Sequence, residues 1–125
     1  AKGVREKLIV NGDDYNTIDG SCVRDYIHVV DLARSHVAAL QYLIKNPKKE
    51  VFNIGTGEGL SVLKAIHCFE NANNRKINYE IGPRRGGDVE QIYSDNTKVK
   101  KVLNWKATIS LERAMKDAWN WELKK

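Results

Sequence analysis

The sequence predicts an α/β fold, or α+β for a piece of this size taken alone, with helices packed on short strands. Three observations carry this. Short apolar runs alternate along the chain with stretches whose apolar residues recur every three or four positions, so strands alternate with helices and some strand pairing is parallel. Asparagine, aspartate, glycine and proline cluster where the runs end, as turns require. The 125 residues, 42% apolar and 30% charged, suffice for one domain that buries roughly two-thirds of the surface of its unfolded chain.

Leu8, Ile9 and Val10 form the first strand and run into the turn Asn11-Gly12-Asp13-Asp14. Val23 to Val30, rich in β-branched and aromatic residues, reads as the second strand. Asp31 then caps a helix whose apolar face is Leu32, His36, Leu40 and Leu43, and Asn46-Pro47 stops it. Val51 to Ile54 is a third strand, followed by Gly55-Thr56-Gly57-Glu58-Gly59. Ser61 caps the next helix, which buries Val62, Ala65, Ile66 and Phe69 and ends near Asn73-Asn74. Ile77, Tyr79 and Ile81 alternate as a half-buried strand before the loop Pro83-Arg84-Arg85-Gly86-Gly87-Asp88. A short strand at Ile92 and Tyr93 leads to a helix capped at Asp95. The last helix starts from Ser110 and buries Leu111, Ala114, Met115 and Ala118.

Composition narrows the function. No apolar run approaches the roughly 18 residues of a membrane span, and no signal segment opens the chain. Cys22 and Cys68 are too few for a disulfide framework and lack metal-binding spacing, which favours a reducing compartment. The net charge of +5 is spread over helix ends and polar faces rather than gathered into a stripe, so nucleic acid is not the expected partner. The chain opens at Ala1 and its only methionine is Met115, which reads as a removed initiator or a piece of a longer protein.

Three segments could carry chemistry. The turn after Ile54 places glycines between a strand and a helix, but Gly55-x-Gly57-x-Gly59 is one residue short of the dinucleotide fingerprint. No acidic residue follows at the right distance, so the turn reads as structural, not as a cofactor site. Arg84 and Arg85 beside glycines suit a planar grip on phosphate or carboxylate oxygens, with Asp88 placed to accept from sugar hydroxyls. The same residues also fit a solvated loop with a weak Arg–Asp pair. Strand alternation would put Arg24, Tyr26 and His28 on one face, as an anion-plus-ring site or as the wet side of an edge strand. His28, His36 and His67 have no metal-ligand spacing, and neither cysteine has an activating histidine, so no metal site and no catalytic nucleophile is expected.

The runs NGDDYNTIDGSCVRDYIHVVDLARSHVAAL, VFNIGTGEGLSVLKAI, PRRGGDV and LNWKATISLERAMKDAWNWE, in this order, resemble the C-terminal part of the UDP-glucose 4-epimerases, within the extended short-chain dehydrogenase/reductase superfamily. The resemblance covers the chain from about Leu8 onward. It implies the C-terminal portion of an extended Rossmann-type, NAD-dependent epimerase: residues 1–125 hold the nucleotide sugar, and NAD is bound by an N-terminal Rossmann domain absent from this chain. It also implies that Arg24 and Arg85 grip the UDP pyrophosphate and Asp88 accepts the ribose hydroxyls. Tyr26 and Val62 would line the nucleotide pocket, the Asn11 backbone would lie near the uracil, and Ile92 would stand beside the sugar. The chain has neither the Gly-x-x-Gly-x-x-Gly turn nor the Tyr-x-x-x-Lys pair of the family, so it is expected to hold no NAD and to be inert alone. A cytoplasmic enzyme, dimeric through helices of the other domain, is the implied setting. Sister enzymes acting on other nucleotide sugars, and a free-standing nucleotide-sugar-binding module, are the alternatives.

Overall fold

The computed structural model describes all residues, Ala1 to Lys125. Its elements in chain order are β1 (Leu8–Asn11), β2 (Val23–Arg24), α1 (Val29–Lys45), β3 (Leu60–Ser61), α2 (Val62–Asn73), β4 (Tyr79–Gly82), α3 (Thr97–Leu103) and α4 (Leu111–Leu123). The strands form two small sheets. β1 pairs with β4 in parallel, Leu8 opposite Tyr79 through Asn11 opposite Gly82, and β2 pairs with β3 antiparallel. Helices on short strands with a parallel pair agree with the α/β expectation.

Serine caps start two of the three long helices. Ser61 and Ser110, in extended backbone, accept from the N–H groups of Lys64 and Arg113 and so occupy orphan donors at the starts of α2 and α4. α2 ends on Asn74 in the left-handed region, a conformation asparagine tolerates better than most side chains. α2 packs on α4 through an edge-to-face pair of Phe69 and Trp119, with centroids 5.7 Å apart and the Arg75 guanidinium over the Trp119 ring. Ala65 and Ile66 of α2 are buried as expected, whereas Ala118 of α4 is exposed.

Elsewhere the structure departs from the sequence reading. The second strand stops at Arg24, because Asp25 turns aside to collect backbone N–H groups from Thr56, Gly57 and Ser94. Helix α1 therefore starts at Val29 with His28 as its cap, the Nδ1 atom accepting from Val30 N–H at 3.0 Å. Asp31, expected as that cap, is buried inside the first turn, where it accepts from the N–H groups of Thr108 and Ile109, each at 2.8 Å. The inward stripe of α1 consequently runs through Asp31 and Ser35, and Leu40 and Leu43 lie exposed, Leu40 at 58%. His36 is exposed too, bonded to Leu32 O.

Val51 to Ile54 joins neither sheet, since a strand needs a neighbouring ladder and this chain supplies none there. Around Ile92 the pairing shrinks to one bridge between Val23 and Gln91. α3 has Asn96 at its cap position with no side-chain cap bond. The expected cap, Asp95, accepts from Thr97 N–H at 2.9 Å. No helix is long and apolar enough to cross a membrane. Cys22 and Cys68 are free thiols.

Candidate functional site

β1 and β4 end side by side, with Gly12 N–H bonded to Gly82 O at 2.9 Å, so the loops after Asn11 and after Gly82 leave the sheet together. The two arginines of the second loop then part. Arg84 turns back: its Nε donates to Asp14 at 2.7 Å and its guanidinium lies 4.2 Å from the centroid of the Tyr15 ring. Gly12 is what allows this, having φ +84° and no side chain, since a Cβ there would press on both Tyr15 and Arg84. Arg85 pairs locally instead, its Nη2 donating to Asp88 Oδ1 at 2.7 Å.

Backbone bonds bring the distant Arg24 to the same carboxylate. Val23 N–H donates to Glu90 O and Val23 O accepts from Ile92 N–H, which lays residues 89–92 along β2. Arg24 Nη1 donates to Val23 O and Val89 O, both at 2.8 Å, and its Nη2 stands 3.7 Å from Asp88 Oδ1. The Arg85 hydrogen bond holds Asp88 below its ordinary carboxylate range against an opposing push from burial, and the charges of Arg85 and Arg24 add to it. Two guanidiniums flanking one ionised carboxylate can grip oxyanions and still leave an acceptor for hydroxyls.

The remaining candidates sit around this core without bonding to it. Ile92 is exposed and shares with Arg24 an open cleft of about 630 Å³. The Val62 N–H donates to Cys22 O, just before β2. Asn11 ends β1 beside Gly82. Tyr26 is half-buried two residues beyond Arg24, and burial raises its phenol above the ordinary value while the Arg24 charge opposes this. None of the Asn11, Tyr26 and Val62 side chains hydrogen-bonds to the Arg24, Arg85 and Asp88 cluster. His28 leaves the face it was expected to share. Its Nε2 meets Asp117 Oδ2 at 3.3 Å and ties α1 to α4.

The glycine turn is occupied by the chain itself. Asp25 Oδ1 accepts from Thr56 N–H at 2.9 Å and Thr56 Oγ1 at 2.5 Å, and its Oδ2 from Gly57 N–H at 3.2 Å and Ser94 N–H at 3.1 Å. A Cβ at Gly55 would collide with that carboxylate. The N–H groups that could cradle a dinucleotide pyrophosphate are therefore spent on an internal anion, and this turn does not fit NAD. No group of three His, Cys, Asp or Glu side chains stands in metal-holding geometry. Sequence reasoning missed Asp25 as the organiser of this region, and missed that Phe52, Asn53 and Tyr93 join Arg24 and Ile92 around one cleft. An acidic residue next to the arginine of a β-prone run was the available signal.

A UDP-glucose 4-epimerase of Oryza sativa subsp. japonica is 49% identical over 126 residues, which is 99% of this chain and 31% of that protein. The crystal structure of UDP-glucose 4-epimerase from Stenotrophomonas maltophila, with bound NAD and formylated UDP-arabinopyranose, matches with a TM-score of 0.95 at 41% identity over 98% of this chain and 36% of that one. The Bifidobacterium longum UDP-glucose 4-epimerase, in complex with NAD+ and UDP, matches with a TM-score of 0.87 at 44% identity, again over 98% and 36%. The chain thus spans about a third of the length of the relatives it matches. The family described as GDP-mannose 4,6 dehydratase matches residues 1–118, and the chain belongs to that family.

Proposed function

We propose that residues 1–125 are the nucleotide-sugar-holding region of an NAD-dependent UDP-glucose/UDP-galactose 4-epimerase, contributing recognition and orientation rather than proton or hydride chemistry. The observation that carries this reading is the meeting of Arg24 and Arg85 at Asp88. An ionised carboxylate between two guanidiniums suits a ligand that is anionic at one point and hydroxylated beside it, which is the chemistry of a nucleoside diphosphate. On this reading Arg24 and Arg85 grip the pyrophosphate and Asp88 accepts from the ribose. Tyr26 and Val62 line the pocket, the Asn11 backbone borders the base, and Ile92 borders the sugar. Held this way, the sugar is presented in one orientation to reacting groups that this chain does not supply, a gain in effective concentration rather than in chemistry.

NAD supplies the hydride acceptor in this scheme and belongs to a Rossmann domain outside residues 1–125. The chain alone is then catalytically inert, and the whole enzyme is a cytoplasmic homodimer of galactose metabolism that engages neither membrane nor nucleic acid. Support comes from the relatives' names and from the NAD and UDP in their crystal structures. Titration of the chain with UDP tests the reading: saturable binding is expected, and no binding at millimolar ligand would remove it. A second reading, a sister enzyme acting on another nucleotide sugar, is favoured by the breadth of the matching family. A panel of UDP-, dTDP- and GDP-sugars separates the two.

A further inference from the structure

Tyr15 links the segments that build the site. Its N–H donates to Gly20 O at 2.9 Å and its O accepts from Thr17 N–H at 2.7 Å, which folds the turn after β1 around it. The ring is buried, and a Cβ at Gly12 would come within 2.8 Å of it. Arg84, from the loop after β4, lays its guanidinium on the same ring. The hydroxyl has no hydrogen-bond partner and lies within interaction range of the Cys22 thiol, two residues ahead of Arg24. Burial raises the phenol above its ordinary value, so it stays neutral and sets no charge against an incoming anion.

The loop that carries Arg85 needs such an anchor. A Cβ at Gly86 or Gly87 would meet nothing within 4 Å, so the middle of the loop has open space beside it. Asp88 N–H bonds back to Arg85 O, inside the loop. Past Asp88 the chain is fixed by Val89 O and Glu90 O, which accept from Arg24 Nη1 and Val23 N–H. Before Arg85 the tie is the side chain of Arg84, through Nε to Asp14 at 2.7 Å, Nη2 to Asp14 O, and the guanidinium 4.2 Å from the Tyr15 centroid. With that tie gone, two glycines leave Arg85 free to roam, and a ligand binds only at the cost of ordering it.

We propose that Tyr15 is a positioning residue for the site: its buried ring anchors Arg84 and thereby presets Arg85 for the anionic part of the ligand. The proposal rests on the nucleotide-sugar reading above and adds a residue that acts on the ligand only through an arginine.

The test compares Tyr15→Leu, which removes the platform, with Tyr15→Phe, which keeps it. In calorimetric titration with UDP, Tyr15→Leu is expected to bind about three- to tenfold more weakly, the scale of ordering one long side chain on binding, and Tyr15→Phe within about twofold of the unsubstituted chain. A double-mutant cycle separates positioning from packing. In an Arg85→Ala background, Tyr15→Leu should cost less than about twofold more, since the arginine it acts through is already gone. Equal losses in both backgrounds, or no loss in either, overturn the proposal. If Tyr15→Leu does not fold, the cycle is run with Arg84→Gln, an exposed change that takes the cation off the ring. A loss of about two- to threefold that vanishes beside Arg85→Ala supports the proposal, and a loss that persists there, or none at all, overturns it. A chain that binds no UDP removes the nucleotide-sugar reading and this proposal together. A chain that binds UDP no better than Tyr15→Leu does removes the proposal alone.

Discussion

Arg85 Nη2 stands 2.7 Å from Asp88 Oδ1, one turn of loop away, while the neighbouring Arg84 reaches back to Asp14. Two adjacent cations are thereby separated onto two carboxylates, and only one of them joins Arg24. The pair Arg85 and Asp88 is exposed on the arginine side and covered on the aspartate side, with Arg85 70% and Asp88 10% exposed. An anion arriving from solvent meets the guanidinium before the carboxylate.

Arg85→Ala is expected to weaken UDP binding about tenfold or more, the usual scale for losing a charge-assisted hydrogen bond. Arg84→Ala is expected to weaken it much less, because Arg84 is committed to Asp14 and Tyr15. Calorimetry on the two variants decides this, and equal losses would remove the distinction between the arginines.

Asp25→Asn should destabilise the chain by about 2–3 kcal/mol, since a carboxamide turns its N–H₂ toward donors that now share an anion. Gly55→Ala should act in the same direction by forcing that carboxylate aside. Urea unfolding measures both. A transition midpoint equal to that of the unsubstituted chain would show that the four bonds contribute nothing net.

Acid should loosen the same region. Burial pushes the Asp19, Asp25 and Asp31 carboxyls up, but hydrogen bonds outweigh it at each. These come from Ser61 and Ser21 at Asp19, from Thr56, Ser94 and Gly57 at Asp25, and from Ile109, Thr108 and Arg34 at Asp31. All three therefore titrate below the ordinary value of 3.8. Below that value the unfolded chain binds protons that the folded chain refuses. The stability from these groups is thus complete above it and is lost as pH falls through the folded values. Thermal melts across acid pH should show a midpoint that declines there, less steeply in Asp25→Asn.

The Tyr15 hydroxyl is buried and has no hydrogen-bond partner, with the residue only 5% exposed. Tyr15→Phe removes an unsatisfied polar atom and keeps the ring beneath Arg84, so the melting midpoint should stay level or rise. A fall would reveal a bonded hydroxyl, with the Cys22 thiol, which lies within interaction range of it, as its partner.

The helix caps at Ser61 and Ser110 were legible because hydroxyl capping is a local rule. His28 was not: an imidazole accepting through Nδ1 has no sequence signature, and an aspartate three residues on looked like the better cap. Asp31 was misplaced for the same reason that Asp25 was overlooked, as each serves backbone donors far along the chain. Val51 to Ile54 shows the limit of strand propensity, which describes a residue's fit to a sheet and cannot supply the neighbouring strand. At the site, the residue types were readable one by one. Their meeting was not, because the bonds of residues 89–92 along β2 place Asp88 against Arg24, and no local pattern encodes those.

Asp19, Asp25 and Asp31 also set an order of events. Each sits early in the chain and waits for partners made later: Ser61 for the first, Thr56 and Ser94 for the second, Thr108 and Ile109 for the third. On a ribosome these aspartates emerge before their distant partners, with only Ser21 and Arg34 close by in sequence, and the last latch closes only when Ile109 has been added. Such distant pairings slow folding relative to a helical bundle of equal size. The amides of Ser94, Thr108 and Ile109 should then gain hydrogen-exchange protection late, after those within the helices.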